Sequence, residues 1–243
     1  MAVIYSKQKG QDYYQVRSAG ASVRLYSNGV LHSQYNPNHL ISGAIWDLLV
    51  LPGFFLQSPP RHVLVLGLGG GTVVHLIRHF FPQCDITCVE NEPLHIQLAK
   101  RFFKIPKDVN VIEGDAYDVL RSTKQRFDWV LDDVFQHTSG EPEREVGFEQ
   151  LLPLYDRVLT AQGVLSMNTI GAYQLKQIKQ AHAQLHDENQ HGYVLRHPLY
   201  DNAIVSLIRN GCSRKVFFEK IAQHKELDVR RKTCRLQVAI RAL

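Results

Sequence analysis

The chain has 243 residues, of which 44% are hydrophobic, and a formal net charge of +5. This length and composition predict a globular protein with one large domain, or with one domain and a smaller appendage. The N-terminus lacks the apolar segment of a signal peptide, and no run approaches the ~20 apolar residues of a membrane span, so we expect a cytoplasmic protein that does not enter membranes.

The first predicted element is a β-hairpin over residues 22–35. Asn28-Gly29 separates two alternating segments, and both positions of such a turn must accept a positive φ angle. Apolar residues at helical spacing then predict a helix from His39 to Leu51, which ends at Pro52-Gly53. Residues 1–57 are therefore expected to form a small N-terminal β region with a connecting helix.

From Arg61 onward, predicted strands alternate with predicted helices. The strands are Val63–Leu66, Ile86–Val89, Val109–Ile112, Trp129–Leu131 and Val164–Met167. The helices are Val73–Phe81, Pro93–Phe103, Tyr117–Leu120, Phe148–Leu159 and Ala172–Leu185. Tyr193–Arg196 and Ala203–Ile208 predict a final antiparallel strand pair. This alternation is typical of an α/β domain with a parallel sheet covered on both faces, here over residues 58–210.

Residues 211–243 are expected to form a basic C-terminal segment. From Arg209 to Leu243, ten Lys or Arg residues stand against three acids, a local charge of +7, so the rest of the chain carries −2. This segment could bind nucleic acid or an acidic partner, or it could be a solvated helix and tail.

The four cysteines form no CxxC pair, and we expect no metal site.

The first strand of the α/β region ends in the run Gly67-Leu68-Gly69-Gly70-Gly71-Thr72. Such glycines allow a nucleotide or nucleoside to approach the strand–helix turn closely, because a Cβ atom would collide with it. A dinucleotide oxidoreductase fits poorly, since its third glycine would fall at Thr72. A P-loop is excluded, because no Gly-Lys-Ser/Thr follows the turn.

Acidic residues follow the next three strands. Glu90 closes the second strand 23 residues after Gly67, which is typical of a carboxylate that accepts hydrogen bonds from ribose hydroxyls. Asp115 follows the third strand and could either cap the next helix or accept from a purine amine. Asp132 and Asp133 follow the fourth strand.

A polar loop, residues 134–146, continues from these two aspartates. It contains His137, a candidate catalytic residue, and its composition predicts a lid over the site.

Taken together, these motifs resemble the spermidine synthase (polyamine aminopropyltransferase) family. The motifs are Val63–Gly71, Val89-Glu90-Asn91-Glu92-Pro93, Gly114-Asp115-Ala116 and Phe127–Asp133, together with Gly29-Val30-Leu31-His32 and Ala161–Leu165. The resemblance implies a Rossmann-like class I S-adenosylmethionine-dependent methyltransferase fold behind a small N-terminal β domain. Because members of this family are often dimers or tetramers, it also suggests a homodimer.

The resemblance also implies roles for individual residues. The donor, S-adenosylmethionine or its decarboxylated form, would contact Gly67, Gly69, Gly70, Gly71, Thr72, Glu90, Asn91, Asp115 and Ala116. Within that set, Glu90 would hold the ribose and Asp115 the adenine amino group. Asp133, with Asp132 beside it, would help to deprotonate an attacking amine. The candidate acceptor contacts are His32, Gln34 and Gln136.

The chain departs from this family where the polyamine and the aminopropyl group would bind. Thr72 stands where aminopropyltransferases usually have an aspartate, Gln136 replaces a second aspartate, and the usual glutamate is missing around residues 38–41. Each lost carboxylate removes a contact of roughly 1.5–3 kcal/mol to a cationic substrate.

The sequence therefore favours methyl transfer to a small-molecule acceptor, such as an amine. Two alternatives stay open. One is aminopropyl transfer from the decarboxylated donor, and the other is a nucleoside-binding or RNA-binding module without turnover.

Overall fold

The computed structural model describes residues 1–138, 141–143, 146–184 and 190–243, and it begins with an antiparallel four-stranded sheet. Its strands, in spatial order, are β1 (Ala2–Lys9), β2 (Asp12–Ala19), β3 (Ser22–Ser27) and β4 (Val30–Tyr35). The predicted hairpin turn is confirmed, with Asn28 at φ +51° and Gly29 at φ +81°. No prediction was made for β1, whose residues are almost all exposed and so show no apolar alternation.

The connecting helix is shorter than predicted. Helix α1 spans Ile45–Val50 and continues as a 3₁₀ turn over Leu51–Phe55, so the predicted start at His39 is wrong. The reason is a turn at residues 42–44, in which Gly43 has a φ of +77°. The Asp47 carboxylate accepts hydrogen bonds from the amides of this turn, which holds it in a non-helical conformation.

A second sheet of eight strands forms the body of the molecule. In chain order its strands are β5 (His62–Leu66), β6 (Asp85–Glu90), β7 (Asn110–Glu113), β8 (Phe127–Asp132), β11 (Leu159–Ile170), β12 (Gln190–Arg196), β13 (Asn202–Arg209) and β14 (Ala239–Ala242). The spatial order is β14-β12-β13-β11-β8-β5-β6-β7. The five strands from β11 to β7 are parallel, and β13, β12 and β14 add antiparallel pairs. The predicted α/β fold is confirmed. Between β8 and β11, strands β9 (Gln136–Thr138) and β10 (Glu141–Glu143) pair with each other.

Helices cover both faces of this sheet. They are α2 (Thr72–Phe80), α3 (Pro93–Leu98) with a π-helical turn over Ala99–Phe103, α4 (Ala116–Ser122), α5 (Phe148–Val158) and α6 (Gly171–Ala183). Each overlaps a predicted helix. Strand β5 serves both faces, because Val63 and Val65 point into one apolar core while Leu64 and Leu66 point into the other. Burial on both faces explains why this strand is a continuous apolar run.

Residues 211–243, the predicted basic C-terminal segment, pack against the α/β domain. Helix α7 (Arg214–Ala222) places the ring of Phe217 on that of Phe55 at 4.1 Å, and β14 pairs with β12 at the edge of the sheet. Within the ranges described, no helix combines the length and apolar character needed to cross a membrane.

Candidate active site

A cavity of about 370 Å³ lies at the carboxyl ends of the parallel strands, beneath the β3–β4 hairpin and the start of α1. Of the predicted site residues whose side chains the structure describes, nine line it: His32, Gly67, Gly69, Thr72, Glu90, Asn91, Asp115, Ala116 and Asp133. The strand order sets their arrangement. Glu90 at the end of β6 and Asp115 after β7 lie to one side of Asp133, while Asn168 on β11 and Asn202 on β13 lie to the other.

The glycine turn is required by packing within the protein. A Cβ atom at Gly67 would lie 2.8 Å from the Asp133 carbonyl oxygen, and one at Gly69 would lie 2.8 Å from Ser33 Oγ. At Gly70 it would meet the Phe103 ring, and at Gly71 the side chain of Ile105.

These glycines leave room for parts of the protein itself, and their contacts with a donor stay predictions. Gly70 and Gly71 do not line the cavity but make room for neighbouring side chains, and only Gly67 and Gly69 face it.

The turn also binds the N-terminal hairpin. Ser33 Oγ accepts a hydrogen bond from the Gly70 amide at 2.7 Å. Thr72 Oγ1 accepts from the Gln34 amide at 3.0 Å and donates to the Gln34 carbonyl at 2.9 Å. Thr72 thus holds β4 against the start of α2. Gln34 does not line the cavity, and its role as an acceptor contact stays a prediction.

We expect Thr72→Val to destabilise the protein by roughly 1–2 kcal/mol, because both backbone groups of Gln34 lose their partner. Urea unfolding measures this change. Thr72→Ser keeps the hydroxyl and is the matched control. Equal stability of the Val and Ser variants would contradict the assigned role.

Glu90 is buried and holds the glycine turn through its carboxylate. Oε2 accepts from the amides of Leu68 and Gly69 at 3.0 and 2.8 Å, and Oε1 accepts from the amide of Glu92 at 3.0 Å. Burial by itself raises the pKa of Glu90. His95 and the hydrogen-bonding amides together lower it by more, so the pKa lies below its ordinary value. Glu90 is therefore a charged group that fixes the turn and also faces the cavity.

Asp115 is the N-cap of α4. Its Oδ1 accepts from the amides of Tyr117 and Asp118 at 2.8 and 2.9 Å, so the capping alternative is observed. The residue also lines the cavity, where the negative charge is favoured by the helix N-terminus.

The two aspartates after Leu131 face different surroundings. Asp133 lines the cavity, where Oδ2 accepts from Trp46 Nε1 at 3.1 Å and Oδ1 accepts from Asn168 Nδ2 at 2.7 Å. Asp132 is fully buried and does not line the cavity. It accepts from the Tyr155 hydroxyl at 2.5 Å and the Val134 amide at 3.0 Å. Of the two aspartates only Asp133 faces the cavity, and the catalytic role of both stays a prediction.

The side chains of residues 136–145 lie outside the described part of the structure. The candidate roles of Gln136 and His137 therefore remain predictions. Strands β9 and β10 give the backbone of this predicted lid in part, and Ser139 and Gly140 lie outside the described residues.

The chain is similar in sequence to parts of known transferases. No protein-family model matches the chain. The polyamine aminopropyltransferase of Vibrio vulnificus is 31% identical over 134 residues, which cover 52% of this chain and 44% of that protein. The eEF1A lysine and N-terminal methyltransferase homolog of Drosophila melanogaster is 35% identical over 88 residues, which cover 32% of this chain and 13% of that protein. The chain matches less than half the length of either relative.

Solved structures match over a larger share of the chain. A probable spermidine synthase from Corynebacterium glutamicum superposes with a TM-score of 0.75 and 15% identity, covering all of this chain and 91% of that chain. The chain has the spermidine synthase fold. Human methyltransferase-like protein 13, solved in complex with SAH, has a TM-score of 0.58 at 23% identity and covers 77% of this chain and 90% of that chain. The resemblance and the fold inferred from the motifs are confirmed.

Within this spermidine synthase fold, the sequence analysis missed the residues that surround Asp133. Trp46 comes from α1, and Asn202 Nδ2 donates to Asn168 Oδ1 at 2.9 Å, which orients the Asn168 amide toward Asp133. Asn168 carried one local signal, since it is a polar residue near the carboxyl end of an apolar strand.

Asp47 fixes the turn before α1, the helix that carries Trp46. Its Oδ2 accepts from the Gly43 amide at 2.6 Å, and Oδ1 is buried without a hydrogen-bond partner among the described residues. Burial raises the pKa of Asp47 to about 7, although the hydrogen bonds from residues 42–44 lower it.

This pKa predicts a pH dependence of stability. Because the folded pKa, about 7, lies above the ordinary 3.8, the folded state holds the proton more tightly than the unfolded chain. The stability that Asp47 contributes is therefore highest below about pH 4 and declines as the pH rises to 7. We therefore compare the free energies of unfolding of Asp47→Asn and the native protein in urea. As the pH rises from 5 to 8, the difference between them should shift by roughly 2 kcal/mol in favour of Asp47→Asn. Parallel curves for the two proteins would contradict this expectation.

Proposed function

We propose that this chain is a transferase that uses an S-adenosylmethionine-type sulfonium nucleoside as donor and an amine as acceptor. The observation that carries the proposal is the position of Asp133. Its carboxylate lies between the acidic strand ends of β6 and β7 and the polar residues of β11 and β13, with each oxygen accepting a hydrogen bond.

The charges that line the cavity suit a cationic donor. Glu90, Asp115 and Asp133 line it, and the part of the lining that the structure describes contains no Lys or Arg. A positively charged ligand is thus favoured over an anionic one. The donor supplies an electrophilic carbon bonded to a positively charged sulfur.

Residues of the chain bind the donor, orient the catalytic carboxylate and accept the proton. Glu90 holds the glycine turn and offers its carboxylate to ribose hydroxyls, and Asp115 meets the adenine amino group. Trp46 and Asn168 aim the carboxylate of Asp133 at the acceptor nitrogen. As that nitrogen forms its new bond to carbon, the carbon–sulfur bond breaks and its electron pair stays on sulfur. Asp133 accepts the proton that the nitrogen loses.

Methyl transfer is the reaction that we favour. Position 72 is a threonine and offers no carboxylate to an aminopropyl ammonium group, and its hydroxyl is already bonded to the backbone of Gln34. The Drosophila relative is named as a lysine and N-terminal methyltransferase, and the human structure contains SAH, which support the same interpretation.

Aminopropyl transfer from the decarboxylated donor is the second candidate. It is supported by the name of the Vibrio relative and by the similarity to a probable spermidine synthase over the whole chain.

Product analysis distinguishes the two reactions. The protein would be incubated with S-adenosylmethionine or its decarboxylated form and a panel of amines. Methyl transfer yields S-adenosylhomocysteine, whereas aminopropyl transfer yields methylthioadenosine. The absence of both products across the panel would count against a transferase.

A further inference from the structure

A second cavity, of about 540 Å³, lies among the segment after β4, helix α2 and the C-terminal segment. Among the residues that the structure describes, it shares no lining residue with the candidate active site. Its cationic and histidine side chains include His39, Arg78, His79, Lys225, Arg231 and Arg235, and we call it the basic cleft. Three parts of the chain that are distant in sequence thus bring basic groups to one concave surface.

Some of these groups are held by neighbouring residues. Arg78 forms an ion pair with Asp108 at 2.7 Å and donates to the carbonyls of Pro82 and Cys84, so it fixes the wall of the cleft. His79 lies 3.3 Å from Glu226, which is the one acidic residue in the described lining. The charge of Glu226 is therefore directed at His79.

The exposed rim of the cleft keeps a positive excess. Lys225, Arg231 and Arg235 are all exposed, and Arg231 lies 3.6 Å from Asp228, a carboxylate that also binds Arg230. Three cations on the rim thus outnumber the single carboxylate that faces the cleft.

The inner wall of the cleft is aromatic and apolar. The rings of Tyr35 and His75 stack at 3.8 Å with an interplanar angle of 15°, and Leu40 and Ile41 also line the cleft. His75 Nε2 is bound to the Phe103 carbonyl at 2.9 Å, and burial lowers the pKa of His75, which favours the neutral ring. A cationic rim above an uncharged aromatic wall suits a ligand with a phosphate and a flat ring.

We propose that the basic cleft binds a phosphate-bearing anion, which is either a free nucleotide or the backbone of an RNA strand. This binding is separate from the proposed transferase reaction, because the described linings of the two cavities have no residue in common. It gives a function to part of the excess charge in the C-terminal segment.

The test compares two double variants with the same change in charge. Lys225→Ala/Arg235→Ala removes two cations from the rim. Lys215→Ala/Lys232→Ala is the control, since these exposed lysines belong to the same basic segment but do not line the cleft. The probes are inorganic phosphate, ADP and a labelled single-stranded RNA of about 20 nucleotides, with affinity measured by calorimetry and fluorescence anisotropy.

We expect the rim variant to bind ADP or RNA at least 10-fold more weakly than the native protein, and the control variant to stay within about threefold. If RNA is the ligand, each lost phosphate contact lowers the magnitude of the slope of log affinity against log salt by about 0.7. The rim variant loses two cations, so its slope should be smaller by about 1.4. Much tighter binding of RNA than of ADP would identify the backbone as the ligand, and comparable binding would identify the nucleotide.

Two results would overturn the proposal. One is equal weakening in both variants, which indicates diffuse attraction to the whole segment. The other is the failure of the native protein to bind any of the three probes. Urea unfolding of both variants verifies that each is folded.

Discussion

Replacing Asp133 with asparagine is expected to lower turnover by at least about 100-fold while nucleoside affinity stays within about threefold. A positioned general base contributes about 10²–10⁴-fold to rate, and an amide cannot take the proton from the acceptor nitrogen. Binding should persist because Glu90 and Asp115, on the other side of the cavity, remain in place. Single-turnover kinetics and calorimetry with S-adenosylhomocysteine measure the two quantities.

Asp132→Asn is the matched control for this variant. Asp132 is fully buried and accepts from the Tyr155 hydroxyl, so its loss should lower thermal stability but change turnover per folded molecule only a few-fold. If Asp133→Asn lowered affinity as much as turnover, Asp133 would be a binding residue. If Asp132→Asn gave the larger loss of turnover, the assignment of the base would be wrong.

Glu90→Ala is expected to weaken nucleoside binding by at least 10-fold and to lower the melting temperature. The substitution removes the acceptor for the amides of Leu68 and Gly69, and an unpaired buried amide costs about 1–3 kcal/mol. The glycine turn then loses its fixed position, and the ribose loses its proposed carboxylate. Calorimetric titration and thermal unfolding test both effects.

Glu92→Ala controls for the loss of a carboxylate near this strand end. Glu92 binds Lys9 at 2.9 Å and Tyr14 at 3.0 Å and does not line the cavity. It should lower stability while nucleoside affinity changes by less than about threefold. Equal loss of affinity in the two variants would mean that Glu90 acts only through the fold.

Local sequence patterns were sufficient for much of the fold. The Asn28-Gly29 turn and the apolar run of β5 follow from turn chemistry and burial, which act between residues close in sequence. Strand β1 was not predicted, because its exposed residues carry no pattern. The start of α1 was misplaced because the amides before it bind Asp47 instead of continuing the helix.

The candidate site was predictable only in part, for a physical reason. Glu90 ends β6, and Asp115 and Asp133 follow β7 and β8; parallel strands bring their carboxyl ends to one edge. Trp46 and Asn202 reach Asp133 and Asn168 through contacts 87 and 34 residues apart in sequence, which no local pattern encodes. Thr72 was assigned to the donor, but its hydroxyl bonds to Gln34, 38 residues away.

The central claim is that the edge formed by Glu90, Asp115 and Asp133 binds a sulfonium nucleoside. Calorimetric titration of the native protein with S-adenosylhomocysteine and with methylthioadenosine tests it most directly. We predict saturable one-to-one binding of at least one of the two, weakened at least 10-fold by Glu90→Ala. No binding of either nucleoside to the folded native protein would contradict the claim.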